Sequence, residues 1–135
     1  MNNISIILGK FHESLIKEML AEAKVVAGSL NIHVKEELWV PGSYEVPLAL
    51  KRTLSKSDIH AAVLLGIIER GETKHGLVMA QSVFSAVIQL QLETNKPVGI
   101  GIIGPEVLPE QIRPRLLPHA RAAVEAVASM LVVPE

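Results

Sequence analysis

Short apolar runs alternate along this chain with longer stretches whose apolar residues recur every three to four positions. Residues 4–8 form the first run, closed by Gly9. Between 12 and 30, Leu15, Ile16, Met19, Ala23, Val26, Ala27 and Leu30 keep helical spacing. Residues 33–40 alternate as a second strand, stopped by Pro41-Gly42, and a helix follows over about 44–54 with Pro47 tolerated in its first turn. Residues 61–65 read as a fully buried strand, about 75–93 as a long helix, and 98–103 as a fourth strand ended by Gly104-Pro105. Pro109, Pro114 and Pro118 break up the next segment, and an alanine-rich helix runs from about 119 to 131. This alternation predicts one α/β domain over residues 1–135, with three layers (αβα) around a four-stranded, mostly parallel sheet and right-handed crossovers. Ligands of such sheets sit beyond the carboxyl ends of the strands, here at loops 9–12, 41–45, 66–75 and 104–109.

The helical stretch 76–92 has no charged residue. A surface helix should carry one apolar stripe and a charged opposite side, but this one offers only Gln81, Ser82, Ser85, Gln89 and Gln91 there. Such a helix is either central in its own core or covered by neighbouring subunits. Flanking helices of an open sheet normally keep one wet face, which favours the second. Composition agrees, since 49% of the residues are apolar and only 20% are charged, below the roughly 25% usual for soluble domains. A homo-oligomer is expected. The net charge of −1, the absence of a basic run and the small aromatic share argue against a nucleic-acid surface. With no cysteine, thiolate nucleophiles and cysteine-bound metals are excluded. No stretch is long and apolar enough to span a membrane, and the first residues show no leader pattern, so a cytoplasmic protein is expected.

The chemistry concentrates in Gly66-Ile-Ile-Glu-Arg-Gly-Glu-Thr-Lys-His75. A buried strand ending in a glycine-bearing loop that opens a helix brings backbone N–H groups and the positive helix end together, which suits an anion. Gly71, Glu72 and Thr73 would supply the donors, although Thr73 can equally serve only to cap the helix. His75 puts a proton-transfer group beside that anion. Phe11 is a candidate for stacking on a flat ring, or else a core residue; Glu45 can accept from hydroxyls, or simply favour a helix start. Arg113 and Arg115 can reach a phosphate or remain solvated charges. Gly99-Ile-Gly-Ile-Ile-Gly104 fits the dinucleotide pattern G-x-G-x-x-G, but its first two glycines lie inside a strand and no helix opens after the third. Metal-binding and serine-nucleophile motifs are missing.

Together these residues resemble the 6,7-dimethyl-8-ribityllumazine synthase family over nearly the whole chain. The resemblance rests on Gly9-Lys-Phe-His12, Trp39-Val-Pro-Gly-Ser-Tyr-Glu-Val-Pro47, the 66–75 block, Gln91-Leu-Glu-Thr-Asn-Lys-Pro-Val98 and Gly101-Ile-Ile-Gly-Pro105, the last similar to archaeal members. It implies a flavodoxin-like fold and a homopentamer, sometimes multiplied into larger shells, with active sites between subunits and the 76–92 helix lining a central channel. The implied reaction joins 5-amino-6-(D-ribitylamino)uracil to 3,4-dihydroxy-2-butanone 4-phosphate, with loss of phosphate and water and no metal or organic cofactor. By the same resemblance Phe11 stacks on the pyrimidine, while Ser43, Tyr44 and Glu45 bind the ribityl chain. Ile68 and Glu69 lay backbone against the uracil, and Ile100 stands where bacterial members pack a phenylalanine near the ring. Gly71, Glu72 and Thr73 form the phosphate turn, His75 transfers protons, and Arg115, with Arg113 as competitor, comes from a neighbouring subunit.

The sequence departs from the family pattern at Lys10-Phe11-His12, where R-F-N is usual, at Gly76-Leu77, where an acidic residue is usual, and after the fourth strand. Three competing functions have the same or a related architecture: a riboflavin synthase-type enzyme acting on lumazine itself, a non-catalytic flavin- or lumazine-binding shell protein, and a nucleotide-binding module. The intact G-E-T-x-H block argues against the first.

Overall fold

Four parallel strands, β1 (Asn2–Gly9), β2 (Ile32–Val40), β3 (Ala61–Glu69) and β4 (Val98–Val107), pair in the order β2-β1-β3-β4 in the computed structural model, which describes residues 1–134. Five helices accompany them: α1 (Glu13–Ser29), α2 (Val46–Leu54), α3 (His75–Thr94), α4 (Pro109–Ile112) and α5 (Leu116–Leu131). Single 3-10 turns cover Ser43–Glu45 and Arg113–Arg115. The expected αβα layering and flavodoxin-like strand order are both present, and every strand pair is parallel.

Alternation along the strands sorts the apolar residues into two clusters. Ile4, Ile6 and Leu8 of β1 face α1 and α5, whereas Ile7 faces α2 and α3. Residues 61–68 of β3 are buried without a break, as a central parallel strand covered on both faces requires. β2 alternates half-buried and exposed positions between its two buried ends because it lies at an edge. The chain leaves β1 for β2 on one side and then returns past β1 to β3 on the other. The switch point therefore lies between the carboxyl ends of β1 and β3.

Two strands run past the glycines expected to end them. β3 continues through Gly66 to Glu69, so the loop expected over 66–75 shrinks to residues 70–74. Gly66 stays in the ladder opposite Ile102. β4 continues through Gly104-Pro105 to Val107 with a cis bond between those two residues and a register shift against β3. An edge strand tolerates a proline because one row of its N–H groups needs no acceptor. The proline-broken segment is likewise more ordered than expected, forming α4, a 3-10 turn and α5, with Pro118 inside the first turn of α5.

The glycines of the G-x-G-x-x-G match are packing residues. A Cβ on Gly99 would lie 2.1 Å from the Ala123 carbonyl oxygen, and one on Gly101 would lie 2.9 Å from that of Leu64. Gly99 lets α5 press directly on β4, and Gly101 sits tightly between β3 and Ala123 of α5, which removes the motif as a nucleotide site.

α3 buries only Ala80, Val83 and Val87, while Val78, Ile88 and Leu92 are exposed in the single chain. It is a flanking helix, without charge from 76 to 92, and not a core helix. Among the described residues, no helix is long and apolar enough to cross a membrane. The Gln91–Val98 block has a structural role. Gln91 accepts from the Val98 N–H at 2.9 Å, and Lys96 Nζ donates to the carbonyls of Leu54 and Lys56 at 2.8 and 2.9 Å. Lys96 thereby ties the end of α2 to the start of β4. Lys96→Met is expected to lower stability by about 1.5 kcal/mol, because two carbonyls lose a charged donor. A thermal melt with an unchanged midpoint would show that the tie contributes nothing.

Candidate active site

Three of the loops beyond the carboxyl edge converge on one open cleft of about 450 Å³ at the switch point. The turn after β1 contributes Phe11. The segment after β2 contributes Pro41, Gly42, Ser43, Tyr44 and Glu45; the end of β3 and the start of α3 contribute Ile67, Ile68, Glu69, Gly71, Thr73, His75, Gly76 and Met79.

Each side chain is placed by local chain geometry. Phe11 sits in a turn between β1 and α1 and is 58% exposed, so it is not a core residue. Pro41-Gly42 ends β2, and the 3-10 turn Ser43–Glu45 closes with a bond from the Glu45 N–H to the Gly42 carbonyl at 3.2 Å. That turn lifts Tyr44 into solvent and lets the Glu45 carboxylate fold back over Gly42. Tyr44 then meets His75 edge-on, with ring centroids 6.0 Å apart and planes at 61°. His75 is the first residue of α3, and its N–H donates to Thr73 Oγ1 at 3.3 Å.

Capping and anion binding coexist in this loop. Thr73 takes one donor of the helix start, yet among the described residues no acceptor in the chain takes the amides of Gly71, Glu72 or Thr73. Those amides and the helix dipole are free for an anion. Glu72 is exposed, and its carboxylate does not line the cleft.

His12, the residue after Phe11, pairs through Nε2 with Glu69 Oε1 at 2.9 Å, an imidazole N–H facing a carboxylate oxygen. The His12 ring also packs edge-on against Phe11, centroids 4.3 Å apart at 65°. Sequence reasoning missed this pair, since nothing local marks two residues 57 positions apart as partners. Met79 was missed as well, although it lies one helical turn after His75 and shares its face.

Besides Glu72, two more expected site residues, Ile100 and Arg115, lie outside the cleft of their own chain. Ile100, on β4, is half-buried against the α2–α3 cluster. Arg115 is exposed, with its guanidinium donating to the Gln111 carbonyl at 2.8 Å; Arg113 pairs with Glu18 on α1 at 3.4 Å. The described lining therefore holds two carboxylates, Glu45 and Glu69, and no lysine or arginine. No group of three or more possible metal ligands occurs among the described residues. The cleft offers a flat aromatic, hydroxyl-binding groups, an amide cradle and an imidazole, which together suit a polar ring compound and a phosphate ester.

Comparison with known proteins points the same way. The sequence profile of the family described as 6,7-dimethyl-8-ribityllumazine synthase matches residues 2–135. The chain is 41% identical over 127 residues to the protein of that name from Metallosphaera sedula, covering 94% of this chain and 84% of the relative. It is 38% identical over 128 residues to that of Saccharolobus solfataricus, with 95% and 83% covered. For Staphylothermus marinus the identity is 36% over 131 residues, with 97% and 87% covered. With a profile match over nearly its whole length and such relatives beside this cleft, the chain belongs to the 6,7-dimethyl-8-ribityllumazine synthase family.

Proposed function

We propose that the chain is a lumazine synthase acting in riboflavin biosynthesis: it condenses 5-amino-6-(D-ribitylamino)uracil with 3,4-dihydroxy-2-butanone 4-phosphate and releases phosphate and water. The observation that carries this reading is the convergence of Phe11, Glu45, Gly71, Thr73 and His75 in one cleft. An amine of the pyrimidine adds to the ketone, water leaves to form an imine, phosphate is eliminated, and the second amine closes the ring on the remaining carbonyl with loss of a second water. Both substrates are reactive, so holding them together supplies much of the acceleration. Phe11 takes the pyrimidine face, backbone at Ile68 and Glu69 meets its edge, and Ser43, Tyr44 and Glu45 hold the ribityl hydroxyls. Gly71, Glu72 and Thr73 hold the phosphate through their amides, and His75 moves protons between the amine, the carbinol and the leaving oxygen.

The enzyme is proposed to work as a homopentamer or a multiple of it, in the cytoplasm, with each site shared between two subunits. Charge supports this, because a phosphate ester entering a cleft with two carboxylates and no lysine or arginine needs a cation from elsewhere. Arg115 of a neighbouring subunit is the assigned cation, and Ile100 is assigned a place near the ring. The exposed side of α3, without charge from 76 to 92, supplies an apolar surface for the contact. Mixing the purified chain with both substrates and following lumazine fluorescence tests the reaction; a lack of product overturns it. Mass photometry should give a particle of five chains or a multiple, each of 14.6 kDa. Arg115→Ala is expected to raise the KM for the phosphate substrate by roughly tenfold or more, as loss of a charge-assisted bond does, with far less change for the pyrimidine. Equal changes in both constants would pass the role to Arg113.

A further inference from the structure

We propose that His12 and Glu69 form a clamp that holds Phe11 in its stacking orientation and thereby sets the affinity for the pyrimidine substrate, a positioning role that rests on the reaction assigned above. His12 occupies the N-cap position of α1, where a side chain normally bonds the first amides of the helix. It makes no such bond. Its ring is turned across the molecule to Glu69, the last residue of β3, in a contact where the two side chains are only 30% and 27% exposed.

The backbone points the same way. His12 has φ 62° and ψ 44°, a left-handed conformation that L-residues other than glycine avoid unless their surroundings hold them there. The Glu69 contact is the long-range tie that holds this one. Phe11 is mostly exposed and so gains little fixation from packing, while the imidazole edge lies against its ring. An unclamped phenylalanine in a turn samples several rotamers and must be ordered each time the pyrimidine binds. Glu69 lines the cleft too, and its pairing with His12 leaves one less unpaired carboxylate facing the substrate.

The test is steady-state kinetics on His12→Gly and Glu69→Leu. Glycine suits the left-handed backbone, so His12→Gly deletes the clamp without unfolding the turn. In His12→Gly the KM for the pyrimidine is expected to rise roughly three- to tenfold, the cost of re-ordering one freed aromatic side chain, with kcat and the KM for the phosphate substrate changing by less than about twofold; Glu69→Leu should raise the pyrimidine KM by at least as much. Glu69→Gln keeps an acceptor for the imidazole N–H and should recover most of the loss. The double variant His12→Gly/Glu69→Leu should be no worse than Glu69→Leu alone, because both remove the same interaction. If His12→Gly turns over with an unshifted pyrimidine KM, or if the two losses multiply, the clamp is wrong while the assigned reaction stands. If the unaltered chain makes no lumazine at all, the reaction falls and the clamp falls with it.

Discussion

His75→Ala is expected to lower kcat by about 10²- to 10⁴-fold while leaving turnover measurable. His75 is exposed at the first position of α3, on the cleft wall facing Tyr44, where no other imidazole lines the described surface. Its loss removes the group that can both take and give a proton near neutral pH. The amide cradle, Phe11 and the ribityl-binding turn remain, so positioning still accelerates the condensation. Both KM values should move little, because the alanine variant deletes no binding contact assigned to either substrate. Steady-state rates of lumazine formation decide the matter: an unchanged kcat removes His75 from the mechanism, and a total loss means that proton transfer, more than positioning, limits the reaction.

Gly104→Ala is the substitution with the largest expected effect on folding. Gly104 has φ 109°, and a Cβ there would lie 2.1 Å from the Ile68 carbonyl oxygen and 3.0 Å from its carbonyl carbon. Backbone strain and overlap with backbone act together, for a loss of about 4 kcal/mol. That is a large part of the roughly 5–15 kcal/mol that holds a domain together. Circular dichroism should show a melting midpoint lower by about 10–15 °C. Since Ile68 also lines the cleft, whatever folded protein remains should bind the pyrimidine poorly. Gly28→Ala is the informative contrast: Gly28 sits near the end of α1 with nothing within 4 Å of its Cβ position, so alanine there should raise the midpoint slightly through helix propensity. A Gly104→Ala protein that melts with the parent would mean that β3 and β4 slide apart freely at this point.

Most of the architecture was legible in the sequence because each element carries its own period. The alternation of 33–40 and the three-to-four spacing of 12–30 need no tertiary information, and both elements appear within a residue or two of the expected bounds. The misplaced boundaries all involve glycine or proline. Gly66 and Gly104-Pro105 look like strand ends when read locally, yet one sits in a ladder opposite Ile102 and the other on an edge strand whose outer row needs no partner. The cleft was legible to the extent that it is built by loops at one sheet edge: Phe11, Ser43–Glu45, Ile68, Glu69, Gly71, Thr73 and His75 do meet there. The His12–Glu69 contact was not, since it depends on how far β3 extends and on the handedness of one backbone residue. Arg115 and Ile100 lie outside that cleft.

The sheet separates the apolar interior into two compartments, and of the α1–α5 compartment only Ile67 also lines the cleft. Volume-conserving exchanges inside the α1–α5 compartment therefore leave most of the cleft wall untouched. Lineages of this enzyme in hot and temperate habitats should diverge most freely on that side, while the opposite compartment changes slowly because it supports Ile68 and Met79 at the wall of the cleft.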